Sequence, residues 1–472
     1  MRGYNGWNYN PYRQLDDDYE YGLTVCRLAP GTDSIELEWL ADGTGDMESV
    51  EYKVHFKKVS DSGYFIYKTV DTKAKLAGLD PDEDYELFVS AGSLKSRTRL
   101  ARTGFVPGTV VNYLHPEDDC YSFSGRYICS PSLVKLPSGA LLASMDVYAS
   151  KAPQNLSLIF RSGDGGETWR YLTELFPCFW GKLFVHKGEL YMLAMSTEYG
   201  DVLIGKSTDE GKTFGTPEVL FRGSCSYAEK GPHKAPMPVI SHAGRLWTAI
   251  DFGAWSLGGH ASCLLSADEN ADLMKAENWN LTKPLAYNPG WEGAVKGDSR
   301  GLLEGSAVVS PCGEILNILG YRTGGCEPDR NRAIILKGDM NDPDKRLEFF
   351  KTVDFYGNRA KFSVVYDGVS GYYFSIVNRL DDENQPGMRN IASLSVSPDL
   401  EHWRIVCDLL NCSGEDSSKV AFQYIDFLFD NEDILFLSRT AFNRAASYHD
   451  NNYITFHRVK NFRSMLYETA GN

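Results

Sequence analysis

Apolar and polar residues alternate in short runs along almost the whole chain, and each run stops at a turn rich in Gly, Asp or Pro. Alternation with a period of two marks half-buried strands. Within residues 22–105 the runs include S-I-E-L-E-W ending at Trp39, Y-K-V-H-F from Tyr52, and D-Y-E-L-F-V-S-A ending at Ala91. From residue 106 to 472 the chain divides into six longer units, whose first strands open at Pro131, Lys182, Pro238, Ser306, Phe362 and Tyr424. Each opening strand turns at Gly or Asp and returns through a second strand. The last unit ends in Y-I-T-F-H-R-V from Tyr453, and G-T-V-V-N-Y-L from Gly108 is placed to supply its outer strand, which would close a ring and remove a free sheet edge. Residues 1–21 show no period and are expected as an extended lead-in.

The turns carry a second pattern. S-G-D-G-G-E-T-W at Ser162–Trp169 recurs as S-T-D-E-G-K-T-F at Ser207–Phe214, with worn copies at Ser266 and Ser397 followed by Trp279 and Trp403. The Asp can bond its own backbone, the glycines supply positive φ, and the closing aromatic folds back onto the sheet. One hairpin repeated at such intervals indicates a radial β architecture. These turns resemble the Asp boxes of sialidase-type β-propellers, which implies an all-β fold with six blades over residues 106–472; a seventh would need a weak repeat hidden in a long connection. The acids Asp164 and Asp209 are then structural. In the N-terminal part, Trp39 and the L-x-P-x-x-x-Y spacing of Leu79, Pro81 and Tyr85 resemble the core Trp and tyrosine corner of a fibronectin type III domain over residues 22–105. That resemblance implies a spacer or a module for protein contact.

Composition narrows the function. At 472 residues with 43% apolar and 13% aromatic residues, the chain can bury two cores. A formal net charge of −15 argues against nucleic-acid and anionic-membrane partners, so an acidic ligand would need a local cluster of Arg and Lys. The N-terminus lacks the apolar stretch of a secretory signal and no run is long enough to span a bilayer, so a cytoplasmic protein is expected. The ten cysteines include no C-x-x-C pair, so neither a disulfide framework nor a metal is expected, and no cofactor is demanded.

Candidate chemistry lies where the blade openings meet the central channel. The sialidase resemblance implies that Glu304, in L-E-G-S-A-V-V, polarises a nucleophilic tyrosine, Tyr424 in Q-Y-I-D. It implies that Arg322, in L-G-Y-R, and Arg389, in M-R-N-I-A, hold a substrate carboxylate. Two family positions differ: Cys129-Ser130-Pro131 stands where sialidases carry R-I-P, and the loop Ala149–Asn155 has no carboxylate. Arg126 and Asp146 lie close by in sequence and could substitute. His233, fixed among Pro232, Pro236 and Pro238, is a candidate for proton transfer because imidazole titrates near neutrality. Trp180 and Tyr227, with Trp255 and Trp291, lie in loops where a ring could stack on a sugar. His449 and Asp450 fit the channel or a polar loop equally well, and Lys361 and Arg439 rank below them.

Two guanidiniums can grip a carboxylate bidentately, and a Tyr beside a Glu can act as nucleophile or base. This set points first to an exo-acting glycoside hydrolase removing a terminal sialic or uronic acid from an acidic oligosaccharide. The same residues suit a lyase that cleaves at a uronate by β-elimination. A non-catalytic glycan-binding propeller is the third reading, and protein contact through the fibronectin-like part is compatible with all three.

Overall fold

The structure, a computed structural model, describes residues 7–8, 22–41, 50–294, 299–323, 331–358, 360–379 and 388–468. It is built almost wholly of antiparallel sheets. The N-terminal part is a two-sheet sandwich. Strands Leu23–Pro30, Ser34–Ala41 and Lys73–Ala77 form one sheet; Phe65–Thr69, Tyr52–Lys58 and Asp84–Ala91 lead the other, which Leu94–Lys95 and Arg99–Arg102 extend. The alternating residues Ile35, Leu37, Trp39, Val54, Leu87 and Val89 meet between the sheets. The Tyr85 hydroxyl accepts the Asp80 N–H at 2.9 Å, which is the corner bond that the spacing predicts.

Six blades follow. Blade 1 spans Tyr127–Leu175, blade 2 Phe179–Phe221, blade 3 Gly231–Leu281, blade 4 Ser299–Asp354 and blade 5 Val365–Asn411. Blade 6 takes three strands from Ala421–Val459, and its fourth strand is Thr109–Tyr113, paired antiparallel to Tyr453–Val459. The stretch from Gly108 therefore closes the ring. Blades 3 and 4 touch through a parallel pairing of His260 with Gly301. Gly301 has φ +112°, and a Cβ there would fall 2.2 Å from the His260 nitrogen, so the close approach requires glycine.

The sandwich is seated on the ring where it closes. The Arg27 Nε donates to the Val111 carbonyl at 2.9 Å, Arg99 pairs with Asp118 at 2.6 Å, and the Arg102 Nε donates to the Asn443 Oδ1 at 3.2 Å. Tyr113 and Tyr453, from the closing strands, join the hydrophobic core of the sandwich.

The outer turns are held by their own side chains. The Ser162 hydroxyl donates to Asp164 at 2.7 Å, Asp164 accepts the Thr168 N–H at 3.0 Å, and the buried Trp169 donates to the Gly166 carbonyl at 3.1 Å. Ser207, Asp209 and Thr213 repeat the polar bonds, and the buried Phe214 takes the place of Trp169 without its hydrogen bond.

The lead-in departs from expectation at its one described point. Trp7 is fully buried between blades 1 and 2, its indole donating to the Pro177 carbonyl at 2.6 Å and its ring meeting Phe214 edge-on. Asn8 accepts the Phe214 N–H at 2.6 Å. The rest of residues 1–21 lies outside the described residues.

Candidate active site

Four blades share one irregularity. In the inner strands, pairing with the second strand slips after Cys129, Phe179, Leu303 and Gln423. The next residue in each case, Ser130, Trp180, Glu304 or Tyr424, has φ between +49° and +55°. A bulge of this kind inserts a residue and re-aims its side chain. Left-handed backbone at residues other than glycine is strained and is retained where the surroundings hold it. Three of the residues singled out from sequence, Trp180, Glu304 and Tyr424, thus occupy equivalent bulges.

The Tyr424 hydroxyl donates to the Glu304 Oε1 at 2.5 Å. Burial and then the Glu304 charge push the Tyr424 phenol well up, while Arg439 and Arg389 pull it down. The Arg389 Nη1 donates to the Gln423 Oε1, and its guanidinium lies 5.5 Å from the Tyr448 ring. Arg439, register partner of Gln423, lies between the rings of Tyr424 and Tyr148 at 5.1 and 5.7 Å. It is 3% exposed and donates to two neutral acceptors, the Asn451 Oδ1 at 2.5 Å and the His449 carbonyl. Among the described residues no direct ion pair neutralises it. The His449 Nδ1 lies 3.1 Å from Asp450 beside this arginine, whose charge lowers the His449 pKa.

Two buried carboxylates secure the bulges from the neighbouring blade. Asp146, 1% exposed, accepts the Trp180 N–H at 2.7 Å and the Ser157 hydroxyl. Asp251, equally buried, accepts the Glu304 N–H at 2.9 Å and lies 3.6 Å from the His233 Nδ1. Burial pushes Asp146 up to about 7 against those hydrogen bonds, and raises Asp251 as well. Asp146 is therefore placed behind Trp180 as a clamp on its backbone, and a role as the exposed acid of the missing loop does not fit its position.

A second cluster, of aromatic rings, is drawn from blades 2 and 3. His233, 4% exposed, lies 4.4 Å from the Trp180 ring and 4.3 Å from the His260 ring. It belongs to the short strand Gly231–His233, paired to Asp251, rather than to the loop ahead of the inner strand; that strand resumes only at Ile240. The Tyr199 hydroxyl lies 3.1 Å from the His260 Nε2 and accepts the Trp255 N–H at 3.1 Å. Tyr227 and Trp255, 49% and 38% exposed, form the open rim. Glu198 stands among them; burial raises its pKa, against the His233 charge and the nearby Tyr227 and Gln154 side chains, which lower it. Burial raises the Tyr148 pKa, the Arg439 charge lowers it, and the Glu198 charge adds to the rise, so Tyr148 feels groups from both clusters.

Lysines close the channel below. Lys182 pairs with Asp426 at 2.5 Å and Lys361 approaches the same carboxylate at 4.0 Å. The Lys234 Nζ donates to the carbonyls of Trp180 and Ala235 at 2.9 and 3.0 Å, and burial lowers it to about 7. These bonds tie blades 2, 3, 5 and 6 beneath the site.

Tyr424, Glu304, Arg389, His233, Asp146, Trp180 and Tyr227 are thus drawn together from separate blades. Arg126 is exposed at the mouth of blade 1, and among the described residues no hydrogen bond or ion pair joins its side chain to the others. Trp291 stacks on Phe349 at 4.8 Å, away from the cluster. The Arg322 side chain lies outside the described residues; its backbone pairs with Gly301. Glu198, Tyr199 and His260 were not singled out from sequence, and Arg439 ranked below the other candidates. The absence of a carboxylate in Ala149–Asn155 was the one available signal for Glu198, since Gln154 of that loop is its partner.

No protein-family model matches the sequence, and no curated protein matches it. Solved structures do resemble the fold. A Hadza microbial sialidase matches with a TM-score of 0.51 at 14% identity, over 93% of this chain and 94% of that one. An α-L-arabinanase of Penicillium chrysogenum, solved with arabinobiose, matches with a TM-score of 0.50 at 12% identity, over 75% of this chain and 98% of that one. The fold is a β-propeller like those of these two structures, with an N-terminal sandwich.

Proposed function

We propose that the protein is an exo-acting glycoside hydrolase that removes a terminal acidic sugar from an oligosaccharide, with Tyr424 as nucleophile. The observation that carries this reading is the 2.5 Å hydrogen bond from Tyr424 to Glu304 beside the stacked Arg439. At rest the pair holds one proton on the phenol. As the phenolic oxygen attacks the anomeric carbon, Glu304 takes that proton, so no free phenolate is required. The bond from the anomeric carbon to the leaving oxygen breaks while an acid protonates that oxygen.

Glu198 suits the acid. Burial shifts its pKa in the direction a general acid needs, and it lies beside Tyr227 of the aromatic cluster that would receive the leaving sugar. In the second step Glu198 takes a proton from water as its oxygen attacks the anomeric carbon, the bond from that carbon to the Tyr424 oxygen breaks, and Glu304 returns its proton to the departing phenolic oxygen. Two displacements retain the anomeric configuration. Arg439 supports acidic specificity: a buried guanidinium without a direct ion pair gains most from a ligand carboxylate. Arg389 adds a second positive charge near Tyr424.

The supporting role of the aromatic lobe is stacking, with Trp180, Tyr227 and Trp255 offering ring faces. His233 and Asp146 then act behind the substrate surface, the first between aromatic rings and the second through the Trp180 backbone. Assaying sialic- and uronic-acid-terminated oligosaccharides against neutral counterparts tests this reading, with Arg439→Met expected to remove the preference for the acid.

A further inference from the structure

The outer face of the sandwich sheet led by Phe65–Thr69 breaks a local rule. In register, Lys53 stands directly opposite Lys68, and Lys95 pairs with Ser90 in the same cross-strand row. Like charges opposite each other destabilise a sheet. The next row sets Ile66 opposite His55 and His55 opposite Phe88. His55 stacks on Phe88 at 4.4 Å, Tyr64 meets Phe88 edge-on at 5.2 Å, and Lys95 lies 3.9 Å over the Phe88 ring. The apolar surface extends to the free edge, where Ile66 is 54% exposed. Lys68 and Lys57 have carboxylate partners in Glu51 and Glu86, whereas among the described residues Lys53 and Lys95 have no ion pair. Burial and the charges of Lys95 and Lys53 lower the His55 pKa, consistent with a positive local field.

We propose that this face binds an acidic polysaccharide, its carboxylates meeting Lys53 and Lys95 and its sugar rings lying along Tyr64, His55 and Ile66. Charge complementarity identifies the partner. Lysines gathered in one row of a chain with net charge −15 leave a local site for sparse carboxylates, while the remaining surface repels a polymer as densely charged as a nucleic acid. Exposed rings beside cations suit a sugar chain, which offers both apolar faces and anionic groups. The row spans three strand spacings, on the order of 14 Å, so several sugar units would lie across it. The sandwich would then hold a polymer close to the ring on which it is seated.

The test uses the full chain carrying Tyr424→Phe, so that the polymer stays intact. Migration is compared in gels containing polygalacturonate, hyaluronate, methyl-esterified polygalacturonate or single-stranded DNA. Retardation is expected with at least one of the two carboxylated polymers, weakening with salt, and absent with the ester and the DNA. Adding Lys53→Ala and Lys95→Ala should reduce the apparent affinity about tenfold or more, with no fall in melting temperature. Arg439→Met should leave it intact, which separates this face from the propeller cleft. Failure of both carboxylated polymers to bind, equal retardation by DNA, or binding indifferent to the lysine substitutions and lost in Arg439→Met would overturn the proposal.

Discussion

Tyr424 and Glu304, 120 residues apart in sequence, meet at 2.5 Å because each sits on an inner-strand bulge with left-handed backbone. Each bulge is fixed by other contacts, Glu304 through Asp251 and the blade 6 strand through a floor in which Asp426 pairs with Lys182. If the pair is the reacting centre, Tyr424→Phe abolishes turnover while leaving the fold intact. Glu304→Gln should lower kcat by about 10²–10⁴-fold, the range for a positioned proton acceptor. Kinetics on both variants, with circular dichroism as the check on folding, measure this.

The assignment of Glu198 as acid predicts a dependence on the leaving group. Glu198→Gln should lose about 10²–10⁴-fold with a natural oligosaccharide and far less with an aryl glycoside whose leaving group needs no proton. A uniform loss across both substrates would point to a structural role for Glu198 instead.

Arg439 should govern charge recognition. Removing one charge-assisted hydrogen bond to a substrate carboxylate costs about 1.5–3 kcal/mol, so Arg439→Met should lower kcat/KM for the acidic sugar by about 10–150-fold. Reduction of that carboxyl to an alcohol should cost the native protein a similar factor and the variant little.

Asp146 makes stability pH-dependent. Its folded pKa is raised by burial to about 7, above the usual carboxylate value of 3.8. Between those values the folded state holds a proton that the unfolded state has lost, so stability falls as pH rises from about 4 to 7. The slope from this group approaches 1.4 kcal/mol per pH unit at most. Asp146→Asn should flatten that part of a melting-temperature profile.

Trp7 is a stabilising plug between two blades. Trp7→Ala, which empties a fully buried site, should cost about 3–5 kcal/mol and shift the urea midpoint down, with kcat on a short substrate unchanged.

Much of the scaffold was legible because its signals are local. Alternation located the blade strands, the turn repeat located the hairpins, and the stretch at Gly108 fitted the vacant outer position in blade 6. Tyr85 was legible for the same reason, since its corner bond joins residues five apart. The site was only partly legible. Tyr424, Glu304 and Arg389 rested on a resemblance, whereas the bulges that aim Tyr424, Glu304 and Trp180 are defects of register between strands and leave no mark in a single run of residues. Glu198 and His260 acquire their roles from neighbours more than 40 residues away, Gln154 on one side and Tyr199 on the other. Arg439 reads in sequence as one more polar residue of a strand. Only its position between the Tyr148 and Tyr424 rings, with neutral hydrogen-bond partners, sets it apart. Trp7 was missed because a single aromatic in an aperiodic segment has no pattern to join.

The central claim is hydrolysis of a terminal acidic sugar at Tyr424, and product analysis in ¹⁸O-labelled water tests it most directly. Sialic- and uronic-acid-terminated oligosaccharides are incubated with the protein and with Tyr424→Phe, and products are read by mass and ultraviolet absorbance. The account predicts a free acidic sugar carrying one labelled oxygen at the anomeric carbon, formed only by the native protein. An unsaturated uronate without added oxygen, release of only neutral sugars from control oligosaccharides, or full activity in Tyr424→Phe would contradict it.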